Sequence, residues 1–368
     1  MSPGFTALDH AMMARALRLA ERGLYSTTPN PRVGCVIVNN GLVVGEGWHL
    51  RAGEEHAEVH ALRAAAGRAH GATAYVTLEP CSHHGRTPPC TEALLTAGVR
   101  RVVAAMPDPN PLVAGQGLAG LRAAGVLTEE GLLAAEAREL NIGFVARMTR
   151  ARPWLRMKVA ASLDGKTALH NGASQWLTGA DARQDGHRWR ARACAMLTGI
   201  GTVRHDDPQL NVRGVEGLSS NSRQPLKVLV DSRLELALDA RLLRGGGVLV
   251  AAAVADSARI AALGQLGAEV LLLPGPDGRV DLVALLAELA RRGINEVHAE
   301  AGFRLSGALL GAGLVDELLL YLAPCLVGDA ARGMFDLPAL QSLAGKRRLL
   351  IRDLRSVGQD LRLLARFA

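Results

Sequence analysis

The stretch from His56 to Cys90 sets the terms for everything else in this chain. It reads His56-Ala57-Glu58, a strand-like Thr73-Ala74-Tyr75-Val76-Thr77-Leu78, then Glu79-Pro80-Cys81 and, further on, Pro88-Pro89-Cys90. One imidazole and two thiolates suit Zn2+, and three protein ligands rather than four leave a coordination position for water, the pattern of a catalytic site. His56 and Glu58, two residues apart, lie on different sides of a regular helix, so both approach one metal only where a helix begins. Glu58 is therefore read as reaching the water on the zinc and not the zinc. Such a water ionises near neutral pH. The hydroxide can attack an amidine-like ring carbon while Glu58 carries the proton.

H-x-E followed by P-C-x-x-C marks zinc nucleobase deaminases. Here eight residues, not two, separate Cys81 from Cys90. Pro80-Cys81 through Thr87-Pro88-Pro89-Cys90 resembles the long-spaced form in the deaminase half of the bifunctional deaminase-reductases of riboflavin biosynthesis. A buried thiol pair beside a surface histidine is the plain alternative, and the H-x-E and P-C elements standing in their expected order weigh against it.

At 368 residues the chain exceeds one ordinary core, so two domains are expected. Aromatics make up only 3%, which leaves little stacking surface of the kind single-stranded nucleic-acid binders use. The net charge of +7 suits anionic ligands, although the arginines are scattered and form no stripe. Five cysteines, an odd count without framework spacing, point to a reducing compartment, with Cys35, Cys194 and Cys325 as buried thiols. The longest apolar run, about 248–255, is too short for a membrane span. No basic segment precedes an apolar core at the N-terminus, and a cytoplasmic location follows as the expectation.

In the first half, Asp9 is expected to cap a helix whose Met12, Ala16, Leu19, Ala20 and Gly23 share a face. Residues 33–38 and 42–47 around Asn39-Asn40-Gly41 read as a hairpin. Asn30 fits a turn residue as well as a substrate contact, and His49 is equally open. Thr27-x-Pro29-Asn30-Pro31-x-Val33-Gly34 resembles the substrate loop of the same family, which implies substrate contacts for both Asn30 and His49. Helices over 57–66, 91–97 and 132–144 alternate with strands over 73–78 and 100–105, a sheet layered between helices. Cys90 at a helix N-terminus is favoured as a thiolate. His83 and Arg86, inside the cysteine loop, contact either substrate or solvent. Gly115-Gln116-Gly117-Leu118-Ala119-Gly120 matches G-x-G-x-x-G, yet a dinucleotide fingerprint opens a helix directly after a strand. Pro107-Asp108-Pro109-Asn110-Pro111 intervenes, so the run is expected to be a loop.

A basic stretch closed by Pro153 places a domain junction, giving one domain over 1–148 and another over 152–368. Strands at 155–160, 195–199, 226–230, 248–252, 269–273, 296–299 and 317–322 alternate with helices near 180–192, 282–292 and 304–312, a second α/β domain. No Rossmann or P-loop fingerprint assigns it. Lys158 and Ser162-Leu163-Asp164-Gly165-Lys166, Ser174-Gln175-Trp176-Leu177-Thr178-Gly179, Gly199-Ile200-Gly201-Thr202-Val203, Asp206-Asp207-Pro208-Gln209-Leu210-Asn211-Val212-Arg213, Val230-Asp231-Ser232 and Glu300-Ala301-Gly302 resemble, in order, the reductase half of the same family. Arg156 and residues 161–173 are left without a reading beyond this.

The resemblance spans nearly the whole chain. It implies a cytidine-deaminase-like α/β/α zinc domain followed by an α/β domain resembling dihydrofolate reductase, a fold that binds NADPH without G-x-G-x-x-G. Zinc ligands are then His56, Cys81 and Cys90, and Glu58 is the catalytic residue. Ala160, Trp176, Thr202, Asp206, Ser232, Gly302, Phe303, Arg304, Leu305, Ser306, Gly307 and Ala308 would contact NADPH, with a phosphate on the free N–H groups beyond Gly302. Lys158, Ser174, Arg190, Leu210, Arg213 and Glu300 would contact a phosphorylated pyrimidine. Leu210 reads equally as core and Arg190 as surface. The implied activity is zinc-dependent deamination of a 2,5-diamino-6-ribosylamino-pyrimidinone 5′-phosphate, then NADPH reduction of its ribosyl group to ribityl. A nucleic-acid base deaminase with an RNA-binding domain would need an aromatic-bearing basic second half, which is absent here. A non-enzymatic zinc module would close the fourth coordination position. Neither nucleic acid nor membrane is expected as a partner, and the sequence leaves room for a homo-oligomer.

Overall fold

The computed structural model describes residues 4–82, 88–111, 113–218 and 223–368. The chain forms two compact units, Met1–Arg152 and Pro153–Ala368, described separately.

The first unit runs α1 (Ala7–Glu21), β1 (Gly34–Asn39), β2 (Leu42–Trp48), α2 (Ala57–Ala65), β3 (Thr73–Val76), α3 (Cys90–Thr96), β4 (Arg101–Ala104), α4 (Gln116–Ala123), β5 (Leu127–Glu130), α5 (Ala134–Leu140) and α6 (Ile142–Arg150). Its sheet has the order β2-β1-β3-β4-β5, with β1 antiparallel to both neighbours and β3, β4 and β5 parallel. The β1–β2 turn places Asn40 and Gly41 at positive φ, the geometry that a two-residue hairpin needs. Glycines set the layer spacing. A Cβ on Gly34 would overlap the carbonyl oxygen of Ala16 in α1, and one on Gly45 or Gly47 would overlap those of Ala61 or Ala57 in α2. Gly34 pairs with Trp48 and Gly47 with Cys35, so the glycines point to opposite faces and the two helices cover opposite sides of the sheet.

Three expectations change here. The cap of α1 is Thr6, and Asp9 is the reciprocal partner three residues on, completing a capping box worth about 1 kcal/mol. Asp9 is also buried, and Oδ1 accepts from Tyr75 Oη at 2.7 Å and from Arg101 at 2.6 Å. The helix expected over 132–144 is two, because Asn141 leaves helical geometry to bracket Arg32, accepting from its N–H at 2.7 Å and donating to its carbonyl at 2.9 Å. The run from Gly115 to Gly120 is not a loop, since α4 starts at Gln116.

The second unit runs β6 (Trp154–Ser162), β7 (Lys166–Ala168), α7 (Ala180–Arg192), β8 (Ala195–Gly199), α8 (Ile200–Asp206), β9 (Leu226–Val230), β10 (Val248–Ala252), α9 (Ser257–Gln265), β11 (Ala268–Leu272), α10 (Leu282–Arg291), β12 (Glu296–Ala299), α11 (Phe303–Gly311), β13 (Glu317–Ala323), β14 (Arg332–Gly333), β15 (Leu349–Val357) and β16 (Asp360–Phe367). Nine strands form one sheet in the order β11-β10-β9-β8-β12-β6-β13-β16-β15, parallel until β13 and antiparallel beyond it. Alternation decides the two faces of its centre. Leu155, Met157, Val297, Ala299, Leu318 and Leu320 build an apolar core on one face. Arg156, His298 and Glu317 are register partners on the other. There Arg156, 1% exposed, donates to Glu317 at 2.5 Å, pairs with Glu296 at 3.3 Å and lies 4.5 Å from the Trp189 ring centroid of α7. Cys325, expected buried, is exposed just past the end of β13. Among the described residues, no helix is long and apolar enough to cross a membrane.

Candidate active sites

The first site lies where two helix N-termini meet. His56 is the N-cap of α2, in extended backbone, so its ring stands off the first turn that carries Glu58. Cys90 is the first residue of α3, set by the extended Pro89 before it. Cys81 follows β3 by a short crossing, and the N–H of Cys90 donates to its sulfur at 3.3 Å. The ligand atoms of His56, Cys81 and Cys90 all lie within 4.8 Å of one another. His56 Nδ1 is 3.3 Å from Cys90 Sγ and 3.6 Å from Cys81 Sγ. A tetrahedral zinc with bonds of about 2.3 Å to sulfur and about 2.0 Å to nitrogen has N···S edges of about 3.5 Å, so the donor set fits the metal in chemistry and in size.

Around these atoms, burial and charge act together. Cys81 is lowered to about 4, chiefly by the hydrogen bond from Cys90, and the same bond raises Cys90. Glu58 is 3% exposed and is pushed up to about 7 by burial and then by the neighbouring Cys81 charge. Among the described residues no arginine or lysine pairs with it. His49 packs edge-on against His56, centroids 5.3 Å apart. Its Nδ1 is 3.0 Å from the carbonyl oxygen of Glu55 and its Nε2 3.1 Å from Asn30 Nδ2. The first contact makes Nδ1 the donor, so Nε2 accepts from Asn30 and leaves the amide oxygen of Asn30 as the group presented outward. His83 and Arg86 lie outside the described residues.

The second site is a cavity of about 1720 Å3 in the second unit. At one end Arg190, from α7, grips Glu300, just after β12, through two bonds of 2.6 and 2.7 Å. Burial alone would raise Glu300, but the charge and hydrogen bonds of Arg190 overcome it and hold the carboxyl well below its usual range. Burial lowers Lys158, whose ammonium lies 5.9 Å from the Tyr321 ring centroid. Burial, then the charges of Arg190 and Arg213, hold His187 down to about 4. Lys158, Ser174, Arg190, Leu210, Arg213 and Glu300 all line this cavity. Leu210 does so from the core, at 3% exposure, and Arg190 is not the surface residue it also read as.

Ala160, Trp176, Thr202, Asp206, Ser232, Gly302, Phe303, Arg304, Leu305 and Ala308 line the same cavity. Ser306 and Gly307 do not. Ser306 is buried and donates to the carbonyl oxygen of Ala301, and a Cβ on Gly307 would overlap that of Asp336. Side chains of successive helical residues face different directions, whereas the first N–H groups of a helix all point out of its end. The sequence reading missed His187, Tyr321 and the charged layer of Arg156, Glu296, His298 and Glu317. The signal was there: charged residues at every second position of otherwise apolar strands, as in Glu296-Val297-His298-Ala299-Glu300.

Comparison with known proteins followed the two units. Residues 6–106 match the cytidine and deoxycytidylate deaminase zinc-binding region, and residues 153–363 the RibD C-terminal domain. The riboflavin biosynthesis protein RibD of Escherichia coli (strain K12) is 49% identical over 361 residues, covering 96% of this chain and 98% of its own. That of Haemophilus influenzae is 45% identical over 369 residues, covering 98% and 97%. A solved structure of Acinetobacter baumannii RibD superposes with a TM-score of 0.92 at 46% identity, covering 98% of this chain and 99% of its own. The diaminohydroxyphosphoribosylaminopyrimidine deaminase/5-amino-6-(5-phosphoribosylamino)uracil reductase of Thermotoga maritima gives 0.84 at 29% identity, with coverage of 98% and 99%.

Proposed function

The chain belongs to the RibD family of bifunctional deaminase-reductases of riboflavin biosynthesis, and from that premise we propose how its own residues divide the two reactions. The deaminase uses Zn2+ and the reductase NADPH. Bound by His56, Cys81 and Cys90, zinc supplies a Lewis acid that makes water a nucleophile near neutral pH. Glu58 accepts the proton the attacking water loses and returns it to the departing amine, so that one C–N bond breaks as one C–O bond forms and ammonia leaves. A buried carboxyl that no arginine or lysine pairs with, among the described residues, is suited to giving as well as taking a proton. Asn30 offers its amide oxygen to an N–H of the pyrimidine edge, held in that orientation by His49. The substrate is read as 2,5-diamino-6-(5-phosphoribosylamino)pyrimidin-4(3H)-one.

In the second unit the cofactor supplies the hydride. Ala160, Trp176, Thr202, Asp206, Ser232 and the first turn of α11 receive it, with phosphate oxygens on the free N–H groups beyond Gly302. Lys158 and Glu300 flank the ribosyl carbon to be reduced, Arg213 meets the 5′-phosphate, and Ser174 and Leu210 complete the pocket. A reducing, cytoplasmic location belongs to this reading and is supported by five cysteines that are all free.

The observation that carries the reading is the meeting of three zinc-type ligand atoms with the buried carboxyl of Glu58 at the start of one helix. The test follows ammonia release and NADPH oxidation in parallel on the diamino substrate. Zinc-stripped enzyme is expected to do neither until zinc is restored, whereas supplying the deaminated intermediate restores NADPH oxidation alone. Full-rate NADPH oxidation on the diamino substrate without zinc would overturn the assigned order.

A further inference from the structure

The run Gly115-Gln116-Gly117-Leu118-Ala119-Gly120 binds no dinucleotide phosphate, because another anion already fills it. Glu79, two residues before Cys81, is 4% exposed. Its Oε2 accepts from the N–H groups of Asp108 at 3.0 Å and Gly115 at 2.9 Å, and its Oε1 from those of Gly117 at 2.8 Å and Leu118 at 3.1 Å. Three backbone donors at the start of α4, joined by that of Asp108, thus close on one carboxylate, which takes the place of a cap that Gly115, with no side chain and positive φ, cannot provide. Among the described residues no cation pairs with Glu79. The glycines differ in purpose. A Cβ on Gly117 would collide with the carbonyl oxygen of Pro80, whereas one on Gly120 would meet nothing within 4 Å.

We infer that Glu79 is a positioning residue for deamination: its carboxylate and the close seat of Pro80 on Gly117 fix the backbone that presents the sulfur of Cys81. The inference rests on Cys81 being a zinc ligand. Glu79 touches neither metal nor substrate and acts through the chain, as groups around a metal's direct ligands do.

The test measures zinc affinity of the full-length protein by competition with a chromophoric chelator. Glu79→Gln turns an NH2 toward two of the four N–H donors, and Gly117→Ala pushes Pro80 away. Each is expected to weaken zinc binding by about 10- to 100-fold, the usual effect of removing such support, and to slow deamination while reduction of supplied intermediate is unchanged. Gly120→Ala is expected to match wild type. If Glu79→Gln and Gly117→Ala lower the melting midpoint but bind zinc within about twofold of wild type, Glu79 is merely structural and the inference falls. If Cys81→Ser keeps wild-type zinc affinity, the ligand assignment falls first and takes the inference with it. A reciprocal measurement needs no variant. Linkage requires that zinc steady the nest as much as the nest steadies zinc, so stripping zinc from the wild-type protein should speed amide exchange at Gly115, Gly117 and Leu118. Unchanged protection there would overturn the proposal.

Discussion

The two sites treat the same functional group in opposite ways. Glu58 sits beside sulfur and imidazole with no arginine or lysine paired to it among the described residues, and burial drives its carboxyl up to about 7. Glu300 is half-buried, yet the guanidinium of Arg190 across two hydrogen bonds takes it far below a normal carboxylate. One environment keeps a proton within reach, and the other forbids it. A residue that must move protons is given no arginine or lysine to clamp it, whereas one that holds a fixed negative charge against a cationic pocket is gripped by one. Neither outcome follows from the residue type.

The comparison breaks most sharply at Glu58. Glu58→Gln keeps the size and leaves His56, Cys81 and Cys90 in place, so metal content by atomic absorption should match wild type. Deamination should fall by about 10⁴-fold or more, since a general acid-base group contributes about 10² to 10⁴-fold and this one serves more than one transfer. Reduction of supplied intermediate should be near normal. Loss of zinc in this variant would make Glu58 a ligand instead.

Next in size is the pair in the other unit. Arg190→Leu removes the two-bond partner of the half-buried Glu300 carboxylate and leaves Lys158 and His298 beside it, a change that costs up to about 3 kcal/mol, the lower end for breaking a buried pair. The thermal transition of the second unit should drop accordingly and reduction should fail, while ammonia release persists. An unmoved transition would mean that water, not Arg190, balances the charge.

A smaller effect separates the units by pH. His187, held down to about 4, and the fully buried His298, also lowered by burial, are neutral in the folded protein. Unfolded, each takes up a proton below about 6.5, so their contribution is intact above that pH and declines as pH falls, the His187 share levelling off near 4. Asp9 in the first unit is lowered instead, burial being outweighed by bonds from Arg101, Thr6 and Tyr75. Its contribution holds above about 3.9 and is lost only as pH falls through the folded value. Acidification from pH 7 to 5 should therefore remove the stability that these two histidines give the second unit, and melting curves of His187→Gln should show a shallower slope over that range. The smallest effect is expected from the largest change. Residues 152–368 produced alone should bind NADPH, by fluorescence titration, with the affinity of the whole chain, because the cavity and its core belong to one unit.

The ligands and Glu58 were legible because chemistry restricts both their types and their order: few contexts other than a metal bring H-x-E and two later cysteines together. The strands of both sheets other than β5, β15 and β16 were legible from runs of valine, leucine and alanine. What escaped was information held in the third dimension. Glu79 looked like any acidic residue before a proline, since its four donors come from 29 to 39 positions further on. Arg156 was passed over because nothing nearby in sequence announces Glu296 or Glu317. Ser306 and Gly307, carried over as part of a continuous stretch, do not line the cavity that Gly302, Phe303, Arg304, Leu305 and Ala308 line. The closing hairpin β15–β16 went unread because Leu349, Leu350, Ile351 and Leu354 remain exposed, and arginines interrupt the alternation that marks a half-buried strand.

The glycines of β2 carry a consequence for evolution. Helix α2 bears His56 and Glu58 on its opening turn, and its backbone rests directly on Gly45 and Gly47, with no side chain between that could be exchanged for a longer or shorter one. The height of the imidazole above the sheet is therefore not something that single substitutions can tune. Selection for a new pyrimidine can rewrite the loops that face the metal, but a randomised library at positions 45 and 47, recovered for zinc-dependent turnover, should return almost entirely glycine.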